Sequence, residues 1–313
     1  RYTYDMVGPA PTLPGILGAS APKINNADMK SYGWEMELSW RDRIEDFNYG
    51  VRFTLADGQR KVLKYPNESG DIYSWYNNKL DGTIWGYTTV GIAQTQEEMN
   101  AHLANNKPNW GSNWGAGDIM YANLNGDGEV TSGSKTLNDH GDLKIIGNSY
   151  ARYNFGFTVD GSWRGLDFSI FLQGTMKRDY WLDGPYFWGA SGDEWQSACF
   201  TEHLDYWTPE HTNAYYPKPY FGNIKKNQEV QSGYLQNAAY LRVKNVQVGY
   251  TLPKSWTKKA AMESVRFYVS GDNLLTWTGI SSIFDPETLG GDWGPGKLYP
   301  LQRTLSVGVN VNF

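Results

Sequence analysis

The chain has 313 residues, enough for one large domain or two ordinary ones. A formal charge of −5 leaves no basic character with which to hold nucleic acid, and the single cysteine, Cys199, excludes a disulfide framework and a cysteine-based zinc site. Gly (35), Trp (14) and Tyr (22) are abundant although mean hydropathy is −0.58, which points to all-β structure; transmembrane barrels share this profile, because only every second strand residue faces lipid.

The opening RYTYDM is too short to show a period. A strict alternation follows in GWEMELSWR, where Trp34, Met36, Leu38 and Trp40 share one face and Glu35, Glu37, Ser39 and Arg41 the other. FNYGVRFTL repeats it with Phe47, Tyr49, Val51, Phe53 and Leu55, and YNFGFTVD with Tyr153, Phe155, Phe157 and Val159. LDFSIFLQG contributes Phe168, Ile170 and Leu172. In YLRVKNVQVGYTL the apolar set changes phase between Val243 and Val246, which predicts a bulge near Lys244 and Asn245. SVRFYVSGDNLLTW reads as a strand with polar residues on both faces toward its end. The chain closes on RTLSVGVNVNF, with Leu305, Val307, Val309, Val311 and Phe313 on one side.

No run approaches the roughly 18 apolar residues of a membrane helix. The connections instead decide the architecture. Those after Trp40, after Val159 (GSWRG) and after Tyr250 (TLPKSWTKKAAMES) are short. Between them lie stretches of about 25 residues (9–33), about 95 (57–152), about 65 (175–239) and about 28 (276–302), far longer than ordinary loops. Strict alternation of short and long connectors is the pattern of an outer-membrane barrel, with short periplasmic turns and long extracellular loops. The residues therefore predict an all-β, antiparallel transmembrane β-barrel segment of about eight strands. Alternate side chains such as Val309 then meet the lipid bilayer, and Ser306, Gly308 and Asn310 face a wet lumen.

The segments LGASAPKINNADMKSYGWEMELSW, GDIMYANLNGDGEV, IIGNSYARYNFGFTVDGSWRGLDFSIFLQG, AAYLRVKNVQVGYTLP, VRFYVSGDNLLTW and YPLQRTLSVGVNVNF, in this order, resemble the carboxy-terminal part of SusC-like (SusC/RagA) TonB-dependent transporters of the Bacteroidetes outer membrane. The resemblance spans nearly the whole chain. It implies one part, residues 1–313, of a barrel of about 22 strands enclosing a plugged lumen. The plug domain and TonB box of that family have no counterpart here, and the chain opens at Arg1 without Met or signal peptide, so a processed product or a piece of something longer is expected. The implied function is import of oligosaccharide or peptide nutrients. The implied partners are a SusD-like surface lipoprotein, the rest of the barrel and plug, and TonB through that plug. The terminal Phe313 is similar to the family's barrel-assembly signal.

One local motif has cation chemistry. In NLNGDGEV (123–130) the oxygens of Asn123, Asn125 and Asp127, the turn-forming Gly128 and the carbonyl of Glu129 follow an EF-hand-like spacing. Position 1 is Asn, and position 12 is Ser134 rather than Glu, so Asp142 or Asp139 would have to supply the missing charge. The expectation is a weak, structural calcium (Ca2+) site, with a plain Asn/Gly turn as its alternative. The long loops are dense in aromatics, among them Trp75, Trp85, Trp110, Trp114, Trp181, Trp188, Trp195, Trp207, Trp277 and Trp293. These either stack on cargo or pack the loops on one another and line the membrane interface. TQEEMNAHLANN (95–106) predicts a short helix capped by Thr95, with Glu98 three residues on.

Catalytic constellations are lacking: Asp193, Glu194 and Asp205 have no telling spacing, His203 and His211 are wrongly spaced for a metalloprotease, and no nucleophile elbow occurs. The chain is therefore expected not to be an enzyme. Two alternatives differ in kind. A secreted all-β carbohydrate-binding or glycan-cleaving module with a calcium-stiffened loop would need no detergent. A self-standing eight-strand adhesin barrel would close on itself.

Overall fold

The computed structural model describes residues 1–10, 14, 16, 18, 21–189, 199–222, 225–290, 294–299 and 301–313. Trp195, Trp293, Asp193 and Glu194 lie outside these residues. One antiparallel sheet dominates, and its strands neighbour one another in chain order: β1 (Tyr2–Gly8), β2 (Ile24–Ile44), β3 (Phe47–Lys64), β4 (Arg152–Trp163), β5 (Leu166–Lys177), β6 (Gln236–Thr251), β7 (Ser264–Gly279) and β8 (Thr304–Asn312). A short strand, Asp179–Tyr180, adds to the start of β6.

The short connections have the predicted chemistry. Arg164 and Gly165 both take positive φ (47° and 91°) between the paired Trp163 and Leu166, which matches the right-handed twist of the hairpin they close. Glu45, with φ of 54°, and Asp46 join Ile44 to Phe47 as a second two-residue turn, and a brief helical turn over Lys254–Thr257 joins β6 to β7. All three lie at one end of the sheet. The long connections lie at the other.

Register carries the alternation from strand to strand. Trp40 lies opposite Val51, Val51 opposite Val159, Val159 opposite Ile170, and Ile170 opposite Val246. The neighbouring row continues through Val248, Val269 and Val307. One face of the sheet is thus a continuous apolar surface. Two glycines on it, Gly161 and Gly174, are covered by the rings of Phe168 and Phe155, which occupy the space a Cβ would need. The opposite face carries Glu37, Thr54, Gln173 and Gln247, with the ion pairs Arg52–Glu37 (2.9 Å), Arg41–Asp160 (3.1 Å) and Arg266–Asp167.

The predicted bulge is present. Phe171 pairs with Asn245 and Leu172 with Val243, so Lys244 has no partner in β5, and across β7 the residues Asn273 and Leu274 fall out of register opposite it. The extra residue keeps Val243 and Leu241 on the apolar face despite the change of phase.

The strands are longer than their alternation indicates. β2 has 21 residues and β3 has 18, whereas about 9–11 suffice to cross hydrocarbon. The surplus of β3, residues 56–64 (ADGQRKVLK), continues toward the long-loop end, where Val62 is buried and lipid no longer imposes a period of two. The connections at 65–151 and 178–235 accordingly begin later and end earlier than the sequence implied; β2 starts at Ile24, inside the stretch 9–33 expected to be a connection, and the last connection runs over 280–303 rather than 276–302.

Among the described residues no second sheet stacks on the apolar face. Trp34 and Val309 are 48% and 52% exposed, and the remaining sheets are two-stranded pieces within the connections. A sandwich would bury these side chains. The sheet is also open: β1 and β8 are not paired with each other, and β1 covers only residues 24–30 of β2, leaving 33–44 bonded to β3 alone.

Candidate functional site

The molecule's dry core lies in the long connections. Ile72, Tyr87 and Tyr121 from 65–151, Phe187, Trp188 and Tyr234 from 178–235, and Ile280, Phe284 and Leu289 from 280–303 form one buried cluster at the long-loop end. This loop cap decides the fate of most tryptophans. Trp110 and Trp114 pack edge-on against Tyr121, and Trp188 lies 4.8 Å from the Tyr234 ring. Trp85 and Trp181 pack against the cluster, and the Trp207 indole donates to Gln94 Oε1 at 3.0 Å. Trp277 stands exposed on the apolar face of β7, opposite Leu241, as an interfacial aromatic would. Burial raises the phenol pKa of both Tyr87 and Tyr121, so these rings act as neutral packing groups.

A buried ion pair joins the two largest connections. Asp118 and Lys226, both fully buried, meet at 2.7 Å. The Asp118 carboxylate also accepts from Asn227 Nδ2 and Gly115 N, while the Lys226 ammonium donates to Asn113 O and sits over the Trp114 and Tyr220 rings. Such a pair holds only because every remaining proton and lone pair is satisfied.

The third connection is held differently. Arg242, on the polar face of β6 and 3% exposed, pairs with Asp285 (2.7 Å) and Glu287 (3.0 Å), and Lys244, freed by the bulge, reaches Glu287 at 2.9 Å. These bonds fasten residues 280–289 over the mouth of the polar face.

The predicted helix is α1 (Gln96–Leu103), where Thr95 Oγ1 accepts from Glu98 N at 3.1 Å. Glu98 reaches back to Gln94 N rather than to the cap residue, and Met99 is buried against Ala93 and Met120.

The residues of the candidate calcium turn are brought together, with their oxygens turned to backbone amides. Asn123 Oδ1 accepts from Gly126 N, Asn125 Oδ1 from Asp127 N, and Asp127 Oδ1 from Glu129 N. Asp142, fully buried, accepts from Leu124 and Asn125 with one oxygen and from Thr131 with the other. Asn125 Nδ2 donates to the second Asp127 oxygen, and Asp139 is bonded to Ser134 instead. Asp142 thus staples the turn through backbone amides, and among the described residues no group of three or more His, Cys, Asp or Glu is placed to hold a metal.

Sequence reasoning missed an apolar hollow in the cap. A cavity of about 230 Å³ lies between residues 199–206, 216–221 and 227–228, walled by Trp188, Phe200, Leu204, Tyr216 and Phe221. The available signal was the aromatic and proline density of YYPKPYF (215–221). Of the acids and histidines screened for catalysis, Asp205 pairs with His211 at 3.0 Å on the surface, and His203 is spent within the cap.

No family model matches the chain. It is 26% identical, over 99% of its length, to TonB-dependent receptor P3 of Formosa agariphila, covering 31% of that protein. It is 22% identical to TonB-dependent receptor SusC of Bacteroides thetaiotaomicron, covering all of the chain and 29% of that receptor. Among solved structures it is similar to the RagAB peptide transporter, with a TM-score of 0.71 and 22% identity over the whole chain and 32% of that one. The open state of the RagAB peptide importer gives 0.70. The chain therefore spans about a third of the relatives it matches.

Proposed function

We propose that the chain is the carboxy-terminal part of the barrel of a SusC-like TonB-dependent transporter of the Bacteroidetes outer membrane, importing oligosaccharide or peptide nutrients, a reading supported by its likeness to TonB-dependent receptors and to the RagAB peptide transporter. The observation that carries this reading is the apolar face that runs from Trp40 to Val307 with no second sheet stacked on it among the described residues. Only hydrocarbon makes such a face stable.

Further strands close the sheet in this reading. Unpaired backbone groups in lipid cost several kcal/mol each, so residues 33–44 of β2 and the outer edge of β8 each take a strand of the remaining barrel. A plug engaged by TonB fills the lumen against the polar face, and a SusD-like lipoprotein covers the loop cap. Cargo held between lipoprotein and cap passes inward when the plug moves. The receptor relatives are transporters, and the reading assigns the chain no catalytic step.

Two experiments test this. Disruption of the gene abolishes energised uptake of the cargo in the source bacterium; unchanged uptake would overturn the reading. Expressed by itself with a signal peptide, the chain is expected to require detergent and to import nothing. A calcium ion on the turn of Asn123, Asn125, Asp127, Glu129 and Asp142 is a separate proposal, favoured by the oxygen-rich donor set and opposed by the amides that Asp142 already satisfies. Protection of that turn by millimolar Ca2+ is its test.

A further inference from the structure

The cavity beside Leu204 and Phe221 differs from the rest of the cap. Other apolar side chains of the cap, such as Val90 and Ile145, are also exposed, but Leu204 and Phe221, 71% and 64% exposed, stand together at the rim of a concave space. A soluble surface does not keep such a rim without a use for it. The space is of the size of one large side chain, and its walls are carbon.

Two of the polar groups lining it, His203 and Asn227, are already engaged, and the Trp188 indole N–H is the one buried side-chain donor there left without a partner among the described residues. His203 accepts from Phe200 N at Nδ1 and faces Phe187 O with Nε2, and Asn227 is bonded to Asp118 and to Ile119 N. A sugar ring placed here would bury several hydroxyls without partners, which is strongly unfavourable. An aromatic or branched aliphatic side chain would bury only carbon. At the mouth stands Lys218, exposed, its ammonium over the Tyr220 ring at 5.6 Å and in no ion pair among the described residues. It offers a charge to an anion arriving with the apolar group.

We propose that this cavity is the subsite for one large apolar side chain of a peptide cargo, and that Lys218 receives a carboxylate of the same peptide. The proposal rests on the import reading and selects peptide over oligosaccharide. An apolar carboxy-terminal residue satisfies both features at once, since side chain and carboxylate leave the same Cα.

The test uses the full transporter containing this chain, purified in detergent and titrated by calorimetry. The probes are the pentapeptide Gly-Ser-Gly-Ser-Phe, its Gly-terminated counterpart, the Phe peptide with an amidated end, and maltoheptaose. The Phe peptide binds roughly tenfold or more tighter than the Gly peptide. Leu204→Asp removes that difference, while Leu204→Ile, which keeps the rim apolar, retains it. Lys218→Gln weakens the acid peptide about fivefold and leaves the amidated one unchanged. Equal binding of the Phe and Gly peptides overturns the proposal. So does maltoheptaose binding that Leu204→Asp abolishes. Loss of a co-purifying surface lipoprotein in Leu204→Asp, with peptide binding intact, overturns it in favour of a docking face. Uptake by intact cells separates the two claims. If gene disruption stops energised uptake but Leu204→Asp leaves peptide binding untouched, the import reading stands and the subsite falls.

Discussion

The sheet and the loop cap of this chain obey opposite rules. In the sheet, side chains such as Trp40 and Val307 stay exposed on one face while Arg41 and Asp160 pair in the open on the other. In the cap, Ile72, Tyr121, Phe187 and Leu289 are removed from any solvent, and even an ion pair, Asp118–Lys226, is fully buried. A water-soluble protein would put its core between the sheet and something else. Here the core is in the connections, so the sheet depends on hydrocarbon and on further strands, and the cap depends on itself.

The contrast makes graded predictions. Asp118→Ala leaves the Lys226 ammonium buried without its counter-charge and costs the cap about 3–5 kcal/mol. Hydrogen exchange should show protection lost in 65–151 and 178–235 while β4 and β5 remain protected; simultaneous loss in the strands would mean that cap and sheet are one cooperative unit. Phe157→Arg, on the apolar face between Phe53 and Leu172, costs about 2–4 kcal/mol near the bilayer midplane. Ser169→Arg, on the polar face opposite Asp160, is tolerated. Urea unfolding of the full barrel in lipid vesicles compares the two, and equal effects would remove the distinction between the faces.

Smaller effects probe single turns. Asp142→Ala leaves the amides of Leu124, Asn125 and Thr131 without their acceptor, at about 1–3 kcal/mol for a buried unsatisfied group, seen as faster exchange confined to 123–131. The least is expected from His102. Its Nε2 faces Tyr121 O at 2.9 Å, and burial holds its pKa below the ordinary value of 6.5. The unfolded segment therefore takes up a proton that the folded one refuses. The contribution is complete above about pH 6.5 and declines as pH falls through the window below it. His102→Gln, which can still donate to Tyr121 O, should flatten that part of the cap's pH–stability profile.

What could be read from the sequence divides along the same line. Lipid on one face and water on the other force a period of two, so residues 34–41 of β2, 47–55 of β3, and β4, β5 and β8 were legible, as was the bulge at Lys244, whereas 24–33 of β2 was read as connection. The surplus of β3 was not, because 56–64 lies where no single solvent imposes alternation. The cap was nearly opaque. Its fixed points join residues far apart, as in Asp118 to Lys226 or Asp142 to Leu124, and local spacing carries no trace of such pairs. Only α1 was visible, through its own Thr95 cap. The calcium motif was legible as a turn, but the amides that Asp142 accepts could not be seen. The apolar cavity escaped because its rim is Leu204 and Phe221 rather than tryptophan.

The central claim is that hydrocarbon is the solvent for one face of the sheet. Spin labels placed singly along β8 of the full receptor in lipid vesicles, from Leu305 to Val311, test it most directly. The account predicts that relaxation by dissolved oxygen peaks at Leu305, Val307, Val309 and Val311, and that relaxation by a water-soluble nickel chelate peaks at Ser306, Gly308 and Asn310. Uniform access along the strand, or protection of Val307 and Val309 from both reagents, would contradict it.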